Sequence, residues 1–426
     1  MPQTGWESVT VPGAVDSWVR LSDRFGQLPF DELFKPAINY ARGGYAVTPV
    51  IQRQWSSAIE RYQHLDGFRQ TFMPAGRAPE IGELFMSPDH ADTLESIAKT
   101  RGTSFYRGEL AIAIEEDARR HDALMTRTDL GNHEGFWVDP ISMSYGNLDV
   151  HEIPPNGQGL AALIALGIAN HLELGRYQPD SVDAIHLMIE AMKMAFADAK
   201  TFIADPRNMR ETVTSLLDPA RLAARAAEID PKRSGNPGPG PILDHGTVYL
   251  CAADVSGTMV SMIQSNFHGF GSGIVVPGTG ISLQNRAAGF SLEVGHANRV
   301  DGGKRPYHTI IPGFLTRGDE PIGPFGVMGG HMQPQGHMQI ICRLETWHQG
   351  LQEAFDAPRW YISESGEINL EPGFAANIAP ILTERGHQID NDYHWTTFGG
   401  GQAIIRTMAG YRAASDPRKD GHAAGF

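Results

Sequence analysis

The chain has 426 residues, of which 41% are hydrophobic and 20% charged, a balance typical of a globular protein with a sizeable core. Its formal net charge of −14 argues against nucleic acid or an anionic membrane as a partner, because binding to phosphates relies on Lys and Arg. Two cysteines exclude a disulfide framework, and the sequence shows neither a long apolar run nor a secretory leader. We therefore expect a cytoplasmic protein.

Helices dominate the predicted elements of residues 1–240. The first spans residues 28–44, where Asp31 is the expected cap and Gly43 and Gly44 the expected stop. The second spans residues 155–175 and follows a Gly-rich turn. The third, residues 181–200, is the clearest, because its apolar residues recur at spacings of three and four.

The third predicted helix also carries two polar residues one turn apart. Ser181 is its expected N-cap, and His186 and Glu190 lie on one face at a spacing of four. We interpret His186 and Glu190 as a solvent-exposed pair on the helix surface.

Strand-like patterns follow residue 247. Residues 247–265 read as two strands joined at Asp-Val-Ser-Gly, which predicts a hairpin, and residues 269–285 add short strands between glycines. Residues 308–330 repeat a strand-turn-strand pattern around Arg-Gly-Asp-Glu. Residues 337–358 read as one helix that ends near Pro358.

Residues 232–246 form a Pro/Gly-rich stretch between the helical and the mixed part, and it ends at Gly246–Thr247. A linker that runs into a strand explains this pattern. Self-cleavage before Thr247 explains it too, because an N-terminal threonine carries its own base, the α-amine, beside its hydroxyl. The residues alone leave both interpretations open.

The other candidate site residues are also ambiguous when each is considered alone. Gly329 and Gly330 follow a strand and could direct backbone N–H groups at an oxyanion, or form a tight turn. Arg286 could bind a carboxylate bidentately, or lie on the surface. His331 and His337 are six residues apart, but no cysteine or carboxylate lies nearby at ligand spacing, so we expect no metal and no other cofactor.

Taken together and in this order, the motifs resemble the γ-glutamyltransferase family, which has the N-terminal-nucleophile (Ntn) hydrolase fold. The resemblance rests on collinear blocks along nearly the whole chain. These blocks are VTVPGAVDSWVRL, PPNGQGL, HLMIEAMKMAFADAKTFIADP, TVYLCAADVSGTMVSMIQSNFHGFGSGIVVPGTGISLQN, GGKRPYHTIIPGFL, FGVMGGHMQPQGHMQII, AFDAPRW, FGGGQAI and SDPRKDG.

The resemblance implies a role for each matching position. Thr247 matches the threonine that cleaves the precursor and then acts as nucleophile, and Ser265 the hydroxyl residue that supports it. Gly329 and Gly330 match the oxyanion hole. Positions expected to bind substrate are Asn285, Arg286, His308, Thr309 and His331.

Three departures from the family pattern concern the substrate. Gly289 stands where the family has an aspartate that holds the α-amino group of the donor, and Phe267 replaces an asparagine. His308 and Thr309 replace two serines. These features resemble the γ-glutamyltransferase-like branch that includes oxamate amidohydrolase, so we expect a small carboxylate-bearing amide or a γ-glutamyl compound as substrate.

The resemblance also implies an architecture. We expect an α+β protein with the four-layer αββα sandwich of Ntn hydrolases, made of residues 1–246 as large-subunit part and residues 247–426 as small-subunit part around one core. The two parts would come from one precursor, and the processed protein could form a homodimer. Family members carry about a hundred further residues before the first block, a size within the ordinary range of domains. The resemblance thus implies a self-processing amidohydrolase or acyltransferase that is cleaved at Gly246–Thr247 and has Thr247 as nucleophile. Because the given sequence begins only a few residues before the first block, the alternative is an inactive or incomplete remnant of the family.

Overall fold

The structure is a computed structural model that describes residues 1–235, 246–363, 365–393 and 395–426. In these residues the α-helices are α1 (Ala14–Phe25), α2 (Lys35–Gly43), α3 (Pro49–Tyr62), α4 (Asp66–Phe72), α5 (Pro88–Thr100), α6 (Thr103–Arg107), α7 (Glu109–Arg120), α8 (Arg127–Gly131), α9 (Gly159–Ala169), α10 (Val182–Phe202), α11 (Val213–Leu216), α12 (Pro219–Ala227), α13 (Met332–Glu345), α14 (Leu351–Asp356) and α15 (Ile378–Glu384). The strands are β1 (Tyr45–Ala46), β2 (Leu84–Phe85), β3 (Ile141–Tyr145), β4 (Leu148–Glu152), β5 (Gly246–Ala253), β6 (Met259–Phe267), β7 (Val275–Val276), β8 (Ile281–Ser282), β9 (Gly313–Arg317), β10 (Glu320–Met328), β11 (Trp360–Ile362), β12 (Ile368–Leu370), β13 (Ile389–Asp390), β14 (Gly400–Thr407) and β15 (Gly410–Ser415).

The chain divides into two compact units, and none of the three boundaries between them falls at residue 246. The first unit comprises residues 1–137 and 266–288, and the second residues 138–265 and 289–426. The first unit is mainly helical and buries an apolar cluster contributed by α5, α7 and β7, among other elements. Both units therefore contain residues from either side of Gly246–Thr247.

The second unit is built on a six-stranded sheet with the strand order β15-β14-β10-β9-β4-β3. Neighbouring strands in this sheet pair antiparallel. A separate two-stranded hairpin, β5-β6, belongs to the same unit up to Ser265. Its turn is held by Asp254, whose Oδ1 accepts hydrogen bonds from the backbone N–H groups of Ser256 (2.9 Å) and Thr258 (3.0 Å).

The two faces of strand β10 show how these layers pack. A Cβ on Gly326 would lie 2.6 Å from the Tyr249 ring, so β5 packs closely on that face. A Cβ on Gly336 of α13 would lie 2.7 Å from the Val327 side chain, so α13 packs closely on Val327. Because adjacent residues of a strand point to opposite faces, Val327 and Gly326 face opposite sides of the sheet. The sheet therefore has helices on one face and the β5-β6 hairpin on the other.

Helix α9 lies at the centre of the core of the second unit. All its residues are buried, as expected of a helix that is apolar all round. The same apolar cluster contains Leu163 and Ile189 from upstream of residue 247 and Phe325 and Ile341 from downstream. The two parts of the chain thus share buried apolar surface, the main favourable contribution to folding.

Several predicted elements are confirmed. The helix predicted at 181–200 is α10, and the Ser181 side chain accepts a hydrogen bond from the Ala184 N–H as its N-cap. The hairpin predicted at 247–265 is β5-β6, and β9 and β10 form the predicted strand pair around residues 317–320. The predicted stop at Gly43 and Gly44 is correct, because α2 ends at Gly43.

Other predictions are wrong in detail. Asp31 does not cap a helix but lies within a 3₁₀ turn, Phe30–Phe34, that precedes α2. The single helix predicted at 337–358 is two helices, α13 and α14, separated around His348, whose φ of 52° is incompatible with a right-handed helix. His186 and Glu190 are not solvent-exposed, since they are 0% and 1% exposed.

The fold is α+β, and its sheet, hairpin and one helical layer agree with part of the expected sandwich. The second helical layer stays a prediction, as does the division into subunit parts at residue 246. Most of the Pro/Gly-rich stretch, residues 236–245, lies outside the described residues. Within the described part of the chain, helices long and apolar enough to cross a bilayer are absent.

We predict that acid destabilises the second unit through His387. Burial, together with the nearby Lys193, lowers the pKa of His387 to about 3, whereas an unfolded histidine has a pKa near ~6.5. Below ~6.5 the unfolded chain therefore binds a proton that the folded chain excludes, and this stability is lost progressively as the pH falls towards 3. The loss is about 1.4 kcal/mol per pH unit for one proton.

Urea unfolding between pH 3.5 and 6.5 measures this effect. His387→Gln should flatten the dependence of the unfolding free energy on pH, while His422→Gln in the exposed C-terminal segment should leave it unchanged. Equal slopes for wild type and His387→Gln would contradict the prediction.

Candidate active site

Thr247 lies at the start of strand β5, directly after Gly246. Its side chain is 5% exposed, and its Oγ1 is 3.0 Å from the Oγ of Ser265 on the paired strand β6. Alternation along the strand gives Thr247 the same orientation as Tyr249, whose ring packs on the six-stranded sheet. The structure thus brings together the predicted nucleophile and the hydroxyl residue predicted to support it.

Gly329 and Gly330 form the turn between β10 and helix α13. Both have positive φ, 124° and 54°, a conformation that favours glycine. Their carbonyls accept hydrogen bonds from the N–H groups of Met332 and Gln333 at the start of α13. The turn therefore lies at the positive end of a 14-residue helix dipole, a location that stabilises negative charge.

Gln158 connects this turn to two other predicted site residues. Its Nε2 donates to the carbonyls of Thr309 (2.6 Å) and Gly330 (2.7 Å). Its Oε1 accepts from the Tyr307 hydroxyl (3.2 Å) and faces the Nδ1 of His331 at 3.1 Å. Gln158 is 0% exposed, and these four bonds use the full capacity of its amide.

These bonds also determine the tautomer of His331. Because both amide hydrogens of Gln158 are donated to carbonyls, its Oε1 acts only as an acceptor. The His331 Nδ1 must then carry a hydrogen, which leaves Nε2 as the acceptor of the neutral ring. His331 is buried, and its ring stacks on Tyr307 with centroids 5.9 Å apart.

His308 and Thr309 lie beside the loop that carries Gln158. The His308 carbonyl accepts from the Gln158 N–H (2.8 Å), and the His308 N–H donates to the Asn156 carbonyl (2.9 Å). The His308 Nδ1 accepts a long hydrogen bond of 3.4 Å from the Ile310 N–H, which favours the neutral tautomer with a hydrogen on Nε2. Thr309 is buried and His308 partly exposed.

His331 and His337 have different partners. The Nδ1 of His337 donates to Glu152 Oε1 (2.6 Å), while its Nε2 accepts from the Val327 N–H (3.2 Å). A carboxylate that is 185 residues away in the sequence is therefore the partner of His337. Burial raises the pKa of Glu152, and both ring nitrogens of His337 are already bonded within the protein.

Asn285 and Arg286 belong to the first unit. The Asn285 side chain is buried and bonds the Gln3 carbonyl (2.8 Å) and His268 Nδ1 (2.6 Å). Arg286 stacks over the Phe267 ring at 4.8 Å, and burial lowers the pKa of its guanidinium to about 9, so it stays charged at neutral pH. The substrate-binding roles of Asn285 and Arg286 stay predictions.

Gly289, the position of the expected aspartate, leaves no space for a side chain. A Cβ at residue 289 would lie 2.6 Å from the carbonyl oxygen of Tyr307. The Gly289 carbonyl accepts from Asn298 Nδ2 (2.6 Å), and the Tyr307 N–H donates to Asn298 Oδ1 (2.9 Å), which holds the two segments at this distance. The local packing therefore requires a glycine at position 289.

Sequence reasoning missed Gln158 and Tyr307. Both lie inside motifs that carried the resemblance, PPNGQGL and GGKRPYHTIIPGFL, but neither motif indicates which side chain points inwards. The sequence did offer one signal: Gln158 is flanked by two glycines and directly precedes an entirely apolar helix. A glutamine at such a position is expected to be buried, and a buried amide needs several hydrogen-bond partners.

The sequence profile of the gamma-glutamyltranspeptidase family matches residues 1–426, and the chain belongs to this family. It is 35% identical over 435 residues to the oxamate amidohydrolase proenzyme of Klebsiella pneumoniae, covering 98% of this chain and 81% of that protein. It is 32% identical over 435 residues to the glutathione hydrolase-like YwrD proenzyme of Bacillus subtilis, covering 100% and 82%. The crystal structure of a cephalosporin acylase from Bacillus halodurans superposes with a TM-score of 0.93 at 45% identity, covering 100% and 80%. The chain is thus a hydrolase-type enzyme of this family.

We predict that Gln158→Leu impairs the site beyond its effect on stability. The substitution removes the donor to two buried carbonyls, at a cost of about 2–4 kcal/mol in unfolding free energy. Without the Gln158 acceptor, the hydrogen of His331 is no longer fixed on Nδ1, and the ¹⁵N chemical shifts of the imidazole should report this change. The substitution should also lower kcat for amide hydrolysis at least about tenfold, or ~1.4 kcal/mol in activation free energy.

Gln339→Leu is the matched control for this experiment. Gln339 also donates to two buried carbonyls, those of Gln335 and Trp360, and its Oε1 accepts from the Trp360 N–H, so these partners lie outside the predicted site. It should cost similar stability and leave the His331 shifts and kcat near wild type. Equal losses of kcat in both variants would contradict a positioning role for Gln158.

Proposed function

We propose that the chain is a self-processing amidohydrolase in which Thr247 is the N-terminal nucleophile. One observation carries the proposal: the Thr247 hydroxyl is buried 3.0 Å from the Ser265 hydroxyl at the first residues of a strand that follows a Pro/Gly-rich stretch. The names of the Klebsiella and Bacillus relatives, which call them proenzymes, support it.

In the processing step, Thr247 Oγ1 attacks the Gly246 carbonyl, and the peptide bond shifts to an ester on the hydroxyl. Water then hydrolyses the ester and releases Gly246 with a carboxylate and Thr247 with a free α-amine. The reference pKa of such an amine, about 7.7–8, suits proton transfer at neutral pH. Ser265 Oγ is positioned to accept or donate a hydrogen bond at Oγ1 during both steps.

In turnover, Oγ1 attacks the substrate amide while the Thr247 amine takes its proton and passes it to the leaving amine. Water hydrolyses the resulting ester, or an amine accepts the acyl group. The N–H groups of the Gly329–Gly330 turn stabilise the oxyanion, and the positive end of α13 adds to this effect.

For the substrate, we propose a small amide that carries a carboxylate, with a γ-glutamyl compound as the alternative. With its hydrogen on Nε2, the His308 side chain is of a type that can donate a hydrogen bond to a carboxylate oxygen. At position 289, close packing against Tyr307 leaves no room for an aspartate that would hold an ammonium group. Oxamate, named in one relative, fits this description because it has a carboxylate and lacks an amino-acid ammonium.

Thr247→Ala should abolish both chain cleavage and amide hydrolysis, because no other group replaces the attacking oxygen. Thr247→Ser keeps the hydroxyl and should retain both at reduced rate. Thr258→Ala, which removes an exposed threonine from the same hairpin, should behave as wild type in denaturing gels and in ammonia-release assays. Hydrolysis by Thr247→Ala at the wild-type rate would sink the proposal.

Ser265→Ala should slow processing by about 10–100-fold without stopping it, because it removes one hydrogen-bond partner of the nucleophile and not the nucleophile itself. The control is Ser261→Ala on the same strand, which removes a comparable 3.0 Å bond to Tyr249. Time courses of cleavage after rapid purification distinguish the two, and an identical delay in both variants would refute a specific role for Ser265.

His308→Phe should lower kcat/KM for oxamate by about tenfold or more, since it removes a charge-assisted hydrogen bond to the carboxylate. His308→Gln retains an N–H donor and should recover much of this loss. Oxamide, the uncharged diamide of the same skeleton, should show little difference among the three proteins. A similar loss for both substrates would argue against carboxylate recognition by His308.

A further inference from the structure

A buried polar network connects helix α10 to the chain just before the Pro/Gly-rich stretch. Helix α10 contributes His186, Glu190 and Lys193, which lie on one helix face at i, i+4 and i+7. His387, just after α15, completes the network. His186, Glu190 and His387 are at most 3% exposed, and the proposed chemistry uses none of the four residues.

The Lys193 ammonium donates all three of its hydrogens within this network. Its Nζ is 2.9 Å from Glu190 Oε1, 2.8 Å from Ser234 Oγ and 3.2 Å from His387 Nδ1. Because lysine has no acceptor, the Nδ1 of His387 must accept this hydrogen bond. The buried charge of Lys193 is thus paired with Glu190 and fully hydrogen-bonded, the condition under which a buried ion pair is tolerated.

The hydrogen bonds then run in one direction through both histidines. His387 carries its hydrogen on Nε2 and donates it to His186 Nδ1 at 2.8 Å. His186 in turn donates from Nε2 to the carbonyl of Asp230 at 2.9 Å. Both rings are neutral in this arrangement, in keeping with the lowered pKa values of His186 and His387.

His186, Glu190 and His387 come close enough to one another to raise the possibility of a metal ion. However, the two ring nitrogens of His387 face opposite partners, His186 on one side and Lys193 on the other. A single ion cannot use both nitrogens, and the Lys193 ammonium already supplies the positive charge next to Glu190. The arrangement is therefore a hydrogen-bonded chain that ends on the backbone of another segment.

That segment is residues 230–235, and the network contacts it at both ends. Besides the Asp230 carbonyl, Glu190 Oε2 accepts from the Gly235 N–H at 2.7 Å, and the Ser234 N–H donates to the Arg385 carbonyl at 2.7 Å. A Cβ at Gly235 would lie 3.0 Å from Glu190 Oε2, so the contact requires a glycine or a displaced carboxylate. The hydrogen bonds to residues 230–235 are thus made mostly to backbone atoms, as they are in a peptide-binding site.

We propose that this network, the tail anchor (His186, Glu190, Lys193 and His387), is a docking site for the end of the upstream chain. It holds residues 230–235 in place both before and after cleavage of the chain. The identity of Gly246 as a new C-terminus rests on the proposed function. The binding of residues 230–235 does not.

Limited proteolysis with a protease of broad specificity, followed by intact-mass measurement, tests the proposal on the purified protein. The upstream fragment of wild type should be trimmed to an end between residues 235 and 246 and then persist. In Gly235→Val and in Glu190→Gln, trimming should continue past residue 230, with loss of the 230–235 segment at least about tenfold faster, as expected when local opening becomes easier.

Lys232→Met is the control, because it removes an ion pair with Asp183 from the same segment, and the Lys232 side chain is 69% exposed. It should give the wild-type boundary. Trimming of wild type straight through residues 230–235, or an unchanged boundary in both anchor variants, would overturn the proposal.

The same measurement separates this proposal from the proposed function. In Thr247→Ala, which cannot cleave itself, the protease should nick residues 236–246 and then stop at the same upstream boundary. An intact wild-type chain with this protected boundary would refute self-processing and leave the anchor supported. A boundary that shifts on treatment with a metal chelator would show a metal site and overturn the anchor.

Discussion

The side-chain amide of Gln158 is the interaction on which the candidate site depends. It joins three segments that are distant in sequence: the loop before α9, the strand-like stretch at Thr309 and the turn at Gly330. A buried amide is tolerated only when its hydrogen bonds are made. If the three segments separated, buried polar groups would be left unsatisfied and the protein would be less stable. The geometry of the proposed oxyanion turn and the tautomer of His331 follow from this one side chain.

The apolar core imposes a second constraint that bears on processing. Residues on both sides of Gly246–Thr247 contribute to one buried cluster, with α9 and α10 on the upstream side and β10 and α13 on the downstream side. Gly246 and Thr247 are not members of this cluster, so breaking the peptide bond between them removes little of its buried surface. We therefore expect cleavage to change the chain ends at Gly246 and Thr247, while the sheet, its helices and the tail anchor keep their packing.

Local patterns predicted the elements well, but not the long-range partners. Helix α10 and the β5-β6 hairpin were found because apolar periodicity and turn residues are local signals. The sequence does not reveal that His186 is buried, because its partner His387 lies 201 residues away. Nor does it reveal the role of Gln158, whose acceptors lie 151 and 172 residues away. Thr247 was identified through a resemblance along the whole chain, since a threonine after a linker is ambiguous by itself.

The central claim is that Thr247 becomes the first residue of a new chain. Intact-mass spectrometry of the purified protein, before and after incubation at neutral pH, tests it most directly. The account predicts that the intact mass decays into two masses, one of them that of residues 247–426 with a free threonine amine. A single intact chain that persists, or a cut at a bond other than Gly246–Thr247, would contradict it.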